Sequence, residues 1–491
     1  MKVSWLTKLN WFVPLGIVGL FILLGTPLPS EESTHREPED GLLIPTSTPV
    51  APEPDAGEAQ YHFFIPILSK PQLAYYVANS GSDANPGTLD APWQTLQHAV
   101  DTALPGSVIY ARAGTYAAGL TIDRPNLTLS GYPGEAAVLA GDGVEQHNIH
   151  VLDVSGVSLR SLTIQDNPVK YGTGIHVEDA SQITISNTLF QDIQGFGVVL
   201  KNVSQITLLN NEFRYNANAI EVRYGSADVL IQGNRIHHNY RDVDSGRSAT
   251  GVNFYYTTGP IVARGNFLWE NHTTDQPDPG GAAFEVYAAS NITIRDNIIW
   301  DNETVLETGS DSAHTPCNNL TFTRNTVFRG VRQQGLILRC ASNSVVSHNS
   351  FDSLDNFVYD LSHNRGEYGA SIEGLRIVNN IHVFGRVYVI ENDLPASVVI
   401  DYNLSYNPGS ESQYGNYLAY VDGFGNTDSL AEFIAWTGYE QHGLDANPLF
   451  VSYLTSNYAL TAASPAIDAG LYLSEPFLGA APDLGRFEFI P

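Results

Sequence analysis

The stretch ITLLNNEFRYNANAIEVRYGSADVLIQGNRIHHN, residues 206–239, contains two copies of one pattern: an alternating apolar segment, an asparagine and a second apolar pair. The pattern recurs along the chain, with its asparagine at positions 187, 211, 234, 266, 297, 325, 349, 380 and 403. The shortest spacings, 23 or 24 residues, fit one coil of a β-helix with three short strands and three turns. The sequence therefore predicts a solenoid of stacked coils.

Stacked in register, these asparagines would form a hydrogen-bonded ladder at one turn of every coil. A second row lies five residues further on, at positions 216, 239, 271 and 302. Because both rows have a structural explanation, we assign them no catalytic role.

Composition narrows the function classes. The chain has 491 residues and a formal net charge of −28, which argues against nucleic acid or an anionic membrane as a partner. Two cysteines, Cys317 and Cys340, are too few for a four-thiolate metal site. They lie one coil apart, so stacking predicts that they are close enough for a disulfide in an exported protein.

The N-terminus has the character of an export signal. Lys2 and Lys8 precede an apolar run over 11–24, and no A-x-A cleavage site follows. We interpret 1–25 as a signal peptide or an uncleaved signal anchor, and the Pro/Glu/Thr-rich segment 26–73 as a linker. The protein is therefore expected to be secreted or displayed at the cell surface.

The folded part is predicted to contain a β-helix over 74–450 and a C-terminal cap over 451–491. An amphipathic helix is predicted at its start, between Pro92 and Pro105. Its apolar face carries Leu96, Ala99, Val100 and Ala103.

The coils, and the opening YYVANSGSDANPGTLDAPWQTLQHAVDTALPGSVIYARAGTY at 75–116, resemble the pectate-lyase-like right-handed parallel β-helix superfamily. The resemblance covers about residues 74–450. It implies an all-β fold with the asparagine ladder between the second and third strands of a coil, and a substrate cleft along the first strands. It does not fix the reaction, because the superfamily includes lyases, hydrolases, epimerases, esterases and adhesins.

Aligning the first strands predicts two outward columns of side chains. The first column is His176, Val199, Glu221, Asn253, Glu285, Glu307, Ile337 and Phe357. The second is Glu178, Lys201, Arg223, Tyr255, Tyr287, Gly309, Arg339 and Tyr359. Neighbouring rungs are about 4.8 Å apart, so Glu285 and Glu307 would hold like charges side by side. Repulsion is expected to raise the pKa of one of them, although a plain solvated face is the alternative.

Long loops are predicted to wall this face. The asparagine spacing grows to 32 and 31 residues around positions 234, 266 and 297. The added segments, 240–250 and 273–282, contribute Asp242, Asp244, Arg247, Asp275 and Asp278. Solenoids commonly place binding sites at such loops.

The favoured hypothesis is a glycoside hydrolase that needs no cofactor. Glu285 and Glu307, one rung apart, suit the carboxylate separation of a retaining enzyme, whereas Glu221 with Glu285 suits an inverting one loosely. A polysaccharide or oligosaccharide is the expected partner of a monomeric protein. The residues expected to bind it are Asn253, Arg223, Tyr255, Tyr287, Arg247 and Arg339.

Two alternatives stay open. One is a calcium-dependent polysaccharide lyase, as in the pectate lyases of the superfamily, with Ca²⁺ held by Asp242, Asp244 and Glu221. Its base would have to come from Lys201, Arg223 or Arg339. The other is a surface protein that binds glycans without catalysis.

Overall fold

The computed structural model describes residues 72–240, 249–272, 281–311, 317–330, 334–354, 356–361, 371–407 and 417–490. The expected signal or anchor segment 1–25 and nearly all of the linker 26–73 lie outside these residues. Among the helices of the described part, none has the length and apolar character needed to cross a membrane.

Within the described residues, the strands form three long sheets of 13 strands each. The first sheet contains Leu120–Ile122, His147–Leu152, Thr173–Glu178, Phe196–Lys201, Asn218–Arg223, Ala249–Tyr255, Gly281–Tyr287, Thr304–Gly309, Gln334–Leu338, Phe357–Asp360, Tyr388–Ile390, Ala419–Val421 and Gly425–Thr427. The second contains Ala74–Val77, Val108–Ala111, Thr128–Gly131, Ser158–Arg160, Ser181–Ser186, Ser204–Leu209, Ala227–Gln232, Ile261–Arg264, Ile292–Arg295, Leu320–Thr323, Val345–Ser347, Arg376–Val378 and Val399–Asp401. The third contains Gly114–Ala117, Ala137–Ala140, Thr163–Asn167, Leu189–Ile193, Glu212–Arg214, Arg235–His237, Phe267–Trp269, Ile298–Trp300, Thr326–Gly330, Ser350–Leu354, Ile381–Val383, Leu404–Tyr406 and Leu444–Asp445.

Along most of the solenoid each sheet takes one strand from each coil, as a β-helix requires. Strands of successive coils pair in parallel. For example, Asn253 is paired with Glu285 on the next coil, and Glu285 is paired with Glu307 on the coil after that. One pair in the first sheet departs from this rule: Ala419–Val421 and Gly425–Thr427 are antiparallel. The predicted parallel β-helix is confirmed.

The asparagine ladder lies between the second and third sheets, as the resemblance implies. Asn266 Nδ2 donates to Asn297 Oδ1 at 3.0 Å, and the Asn266 backbone N–H donates to the same oxygen at 2.9 Å. This doubled contact repeats from Asn211 to Asn403. The second row, from Asn216 to Asn302, has the same geometry.

Asn187 does not belong to the ladder, which corrects the alignment. The rung before Asn211 is occupied by Thr188, whose backbone N–H donates to Asn211 Oδ1 at 3.1 Å. Asn187 is the corner residue before it, with φ of 51°, and Asn210 and Gly233 hold the same left-handed corner on the next coils. Asparagine and glycine tolerate this conformation better than other residues, so the corner favours asparagine for its backbone conformation. The neighbouring rung favours asparagine for its side-chain hydrogen bonds.

The N-terminal helix is shorter than predicted, spanning Leu96–Thr102. Trp93 is still extended, because it bridges to Val77, and the helix starts only after Thr95, whose side chain accepts from the His98 N–H. The predicted apolar face is buried against the first coils.

The C-terminal part has two roles. The helix Leu430–Thr437 inserts Phe433, which is fully buried and stacks on Tyr388 with ring centroids 5.0 Å apart. The hairpin Phe450–Ser452 and Asn457–Leu460, with the chain that follows, packs outside the third sheet against Phe328. The helix therefore continues the interior stack of the coils, while the last residues cover an apolar outer face.

Candidate active site

The strand register aligns the acidic residues of the first sheet in one outward column. Glu221 is paired with Asn253, Asn253 with Glu285, and Glu285 with Glu307, each on the next strand. These residues alternate with buried ones such as Phe284, whose side chains fill the interior. The structure thus brings together the three glutamates and the asparagine chosen from the sequence.

Past Ile337 the predicted columns are wrong. Ile337 is paired with Asp360, not Phe357, and Leu336 is paired with Tyr359. Tyr359 is fully buried inside the coil, where its hydroxyl lies 2.9 Å from His382 Nε2. The strand Phe357–Asp360 is buried along its whole length, so alternation could not reveal which residues face outward. Asp360 is the residue that continues the column.

Glu221 lies on the predicted face but is not presented to solvent. It is 2% exposed, and its Oε1 lies 2.9 Å from Arg223 Nη1. A buried carboxylate paired with a guanidinium is suited to holding the face together. The same ion pair makes Glu221 a poor calcium ligand, because Arg223 already supplies the positive charge.

Glu285 and Glu307 occupy different surroundings despite being neighbours. Thr250 Oγ1 lies 3.5 Å from Glu285 Oε2. Glu307 is more open, with a side chain 43% exposed, and its Oε1 lies 3.4 Å from Arg339 Nη1. The Arg339 guanidinium opposes the repulsion between the two carboxylates and explains in part how the pair is tolerated.

Asn253 separates the buried Glu221 from this pair. Its Oδ1 is buried and has no hydrogen-bond partner within the described residues. A buried amide oxygen without a donor is costly, so the position is suited to accept a hydrogen bond from a hydroxyl group.

Tyrosines flank the carboxylates at the ends of the same strands. The rings of Tyr255 and Tyr287 stack with centroids 5.5 Å apart and planes at 19°. Tyr224 and Tyr256, which the sequence reasoning missed, pack against this pair. We call these four residues the tyrosine cluster. Tyr224 and Tyr256 each directly follow an outward residue of the second column. This adjacency is the sequence signal that could have identified them.

Tyr256 is fixed by an acid from the next coils. Its hydroxyl donates to Asp311 Oδ2 at 2.6 Å. Desolvation and this hydrogen bond raise the pKa of Tyr256 well above its ordinary value. The phenol therefore stays protonated and presents an uncharged aromatic edge, a surface suited to sugar rings.

The loop residues expected to wall the face cannot be placed. Asp242, Asp244, Arg247, Asp275 and Asp278 lie outside the described residues. Their proposed roles, including calcium binding by Asp242 and Asp244, stay predictions.

The basic residues considered for a lyase are all engaged in ion pairs. Lys201 Nζ lies 2.5 Å from Glu178 Oε1, while Arg223 and Arg339 are paired with Glu221 and Glu307. A general base must reach a proton of the substrate, whereas the cationic group of each of these side chains is directed at a carboxylate of the protein.

The N-terminal end of the same face carries a histidine cluster that the sequence reasoning left without a role. His147 and His150 belong to one strand and His176 to the next, with His150 paired directly to His176. Burial lowers the pKa of His176 to about 3 and that of His147 to about 4, so the rings are neutral near pH 7. The sequence signal was present, because His176 heads the first outward column and Glu178 heads the second.

Part of the chain is similar to known proteins. Residues 75–315 match the family model described as Pel9A-like, right handed beta helix region. The pectate lyase PEL9 of Emericella nidulans is 28% identical over 224 residues, which cover 38% of this chain and 51% of the relative. The uncharacterized protein YwoF of Bacillus subtilis is 30% identical over 121 residues, which cover 22% of this chain and 26% of the relative.

The chain thus spans about half and about a quarter of the length of these curated relatives. Among solved structures, that of pectate lyase Pel9A is similar with a TM-score of 0.44 and 18% identity, covering 85% of this chain and 96% of that one. The resemblance to the pectate-lyase-like right-handed parallel β-helix superfamily is confirmed, with the match to the family model covering residues 75–315.

Proposed function

We propose that this protein is an extracytoplasmic polysaccharide-active enzyme, and that it is a glycoside hydrolase using Glu285 and Glu307. The observation that carries the proposal is the direct pairing of these two carboxylates on adjacent strands of the first sheet. Adjacent strands place their backbones about 4.8 Å apart, which is close to the carboxylate separation of about 5 Å found in retaining enzymes.

The chemistry follows from that separation. One carboxyl group protonates the departing glycosidic oxygen while the other attacks the anomeric carbon and forms a glycosyl ester. Water then hydrolyses the ester, with the first group accepting its proton, and the sugar is released with its configuration retained.

In this proposal the neighbouring residues either bind the sugar or position the carboxylates. Asn253 accepts a hydrogen bond from a sugar hydroxyl through its buried Oδ1, and the tyrosine cluster offers aromatic rings for stacking. Arg223 and Arg339 hold Glu221 and Glu307 in place through the ion pairs described above.

The decisive variants are Glu285→Gln and Glu307→Gln, which keep side-chain size and remove the ionisable group. We expect each to lower kcat on a cleaved polysaccharide by at least about 100-fold, the effect typical of losing an acid–base group. The substrate is found first by incubating the protein with a panel of polysaccharides and measuring product masses.

Glu212→Gln is the matched control. Glu212 lies on the third sheet and is paired with Arg214 at 3.2 Å, as Glu307 is with Arg339, but it is not on the proposed catalytic face. Full activity in both test variants, with folding checked by circular dichroism, would end the proposal. Inverted anomeric configuration in the first product would contradict the retaining pair.

A polysaccharide lyase is the second candidate, because the family model is Pel9A-like and the similar Emericella protein is named a pectate lyase. A lyase leaves an unsaturated product that absorbs in the ultraviolet and is one water lighter than the hydrolytic fragment. The test is to strip the protein with chelator and add back Ca²⁺ or Zn²⁺ separately. Ultraviolet-absorbing product restored by Ca²⁺ alone would favour the lyase.

A further inference from the structure

Three metal-binding side chains converge at the N-terminal end of the first sheet. His150 and His176 are paired on adjacent strands, and Glu178 lies two residues after His176, so it faces the same side. Glu178 Oε2 is 3.4 Å from His176 Nε2 and 3.9 Å from His150 Nε2. One donor atom from each residue lies within 4.8 Å of the other two.

The burial of this group and its hydrogen bonding suit a metal-binding site. The His176 side chain is 7% exposed, and His150 Nε2 is buried without a hydrogen-bond partner within the described residues. A buried ring nitrogen without a partner is unfavourable, and a bound ion would remove that cost. The nitrogen lies 3.9 Å from the same carboxylate oxygen that His176 approaches.

Lys201 sets the orientation of the carboxylate. Its Nζ contacts Glu178 Oε1 at 2.5 Å, which leaves Oε2 facing the two imidazoles. Hydrogen bonding of the outer oxygen of a ligand carboxylate is a common feature of metal sites, where it fixes the ligand and tunes its affinity.

We propose that His150, His176 and Glu178 form a binding site for a divalent first-row transition ion, with Zn²⁺ as its representative. Zinc bonds of about 2.0–2.1 Å in tetrahedral geometry place ligand atoms about 3.3 Å apart, close to the His176–Glu178 separation. Two imidazoles and one carboxylate suit such ions, whereas Ca²⁺ takes six to eight oxygen ligands. The fourth position is left for water or a ligand oxygen.

This site is separate from the proposed catalytic pair. Between His176 and Glu285 the column passes through Val199, Glu221 and Asn253, which is four rungs or about 19 Å. Its test therefore does not depend on whether the protein hydrolyses a polysaccharide.

The experiment uses the tag-free chain, stripped of metal by chelator and dialysed, with Zn²⁺ as the probe. We expect titration calorimetry and elemental analysis to show Zn²⁺ bound to the unchanged protein. The His150→Gln and Glu178→Gln variants should lack this bound Zn²⁺. In each variant the affinity at this site should fall at least about tenfold, since even losing an outer-sphere partner has that effect. Zn²⁺ should also raise the Tm of the unchanged protein and not that of the variants.

His442→Gln is the matched control, because His442 Nδ1 lies 2.8 Å from Asp401 Oδ2 in a single histidine–carboxylate pair. It should leave the zinc stoichiometry unchanged. Co²⁺ provides a second readout, since a His/His/Glu site gives visible d–d absorption that the folded variants should lack. Equal Zn²⁺ and Co²⁺ binding by the unchanged protein and both variants, or no binding by any, would overturn the proposal and leave an ordinary histidine–glutamate ion pair.

Discussion

Glu440 shows how one buried carboxylate can complete a repeating structure. It accepts from the Asn403 side chain at 2.7 Å and from the Asn403 backbone N–H at 3.2 Å, in the place where the next asparagine of the ladder would lie. The Tyr388 hydroxyl donates to Glu440 Oε1, the same oxygen that accepts from the Asn403 side chain. Desolvation raises the pKa of Glu440 to about 7 from an ordinary value of 4.5.

This shift predicts a pH dependence of stability. Between about pH 4.5 and pH 7 the folded protein holds a proton on Glu440 that the unfolded chain has lost, so the free energy of unfolding falls as pH rises through this window. Above pH 7 the contribution is constant. The total is on the order of 3 kcal/mol, at about 1.4 kcal/mol per pKa unit.

Glu440→Gln isolates this contribution, because the amide stays neutral and can still accept from Asn403. Urea unfolding at several pH values should show a flatter profile for the variant between pH 4.5 and pH 7. Identical slopes in the two proteins would show that Glu440 does not titrate in that window. Opposing groups such as His382, whose pKa burial lowers to about 3, are common to both proteins and cancel.

At the scale of elements, the ladder is the device that keeps successive coils in register. Asn297 has no exposed surface and joins three coils: it accepts from Asn266 and donates to Asn325 Oδ1 and to the Ala263 carbonyl. Each rung satisfies buried polar groups of its neighbours, so removing one leaves donors and acceptors unpaired on both sides.

Asn297→Ala is therefore expected to lower the free energy of unfolding by roughly 3 kcal/mol, the cost of leaving one or two buried polar groups unsatisfied. The comparison is Asn318→Ala, since Asn318 makes its hydrogen bond to Ser290 through the backbone N–H at 3.2 Å. Denaturant unfolding of both variants gives the measurement. A loss in Asn297→Ala no larger than in Asn318→Ala would mean that the backbone pairs alone set the register.

The asparagine ladder also explains how much of the fold could be predicted from the sequence. A buried asparagine ladder disfavours residues that cannot both accept and donate hydrogen bonds, so the period of the asparagines is visible as a repeat in the sequence and predicts the coils. The errors arose where local chemistry allows two explanations. Asn187 fits a left-handed corner as well as a ladder rung, and the strand containing Tyr359 is buried on both sides, which hides its outward face.

At the scale of the whole molecule, the sequence predicted the acidic column but not its environment. The burial of Glu221 with Arg223 and the exposure of Glu307 depend on how the side chains of neighbouring coils pack on the face, and strand alternation does not contain this information. The histidine cluster was missed for a similar reason. Its members come from two coils, and the register that aligns His150 with His176 involves a strand outside the aligned repeats.

The charge of the whole chain distinguishes between substrate classes. With a formal net charge of −28, the protein repels a polyuronate, and this repulsion acts over about 10 Å at 0.1 M salt and about 30 Å at 0.01 M. A neutral polysaccharide is not repelled by this charge. For a neutral substrate we therefore expect KM to change less than about twofold between 10 mM and 200 mM NaCl, because its binding uses hydrogen bonds and stacking.

Cleavage of a polyuronate, if present, should be slowest at low salt and rise as the repulsion is screened. Initial rates on one neutral and one uronate polymer across the same salt series give the comparison, with thermal unfolding followed in parallel to exclude a change in folded fraction. A uronate cleaved fastest at 10 mM NaCl would contradict the argument. It would mean that cationic residues at the site, Arg223 and Arg339 among them, outweigh the field of the whole chain and that the substrate is an acidic polymer after all.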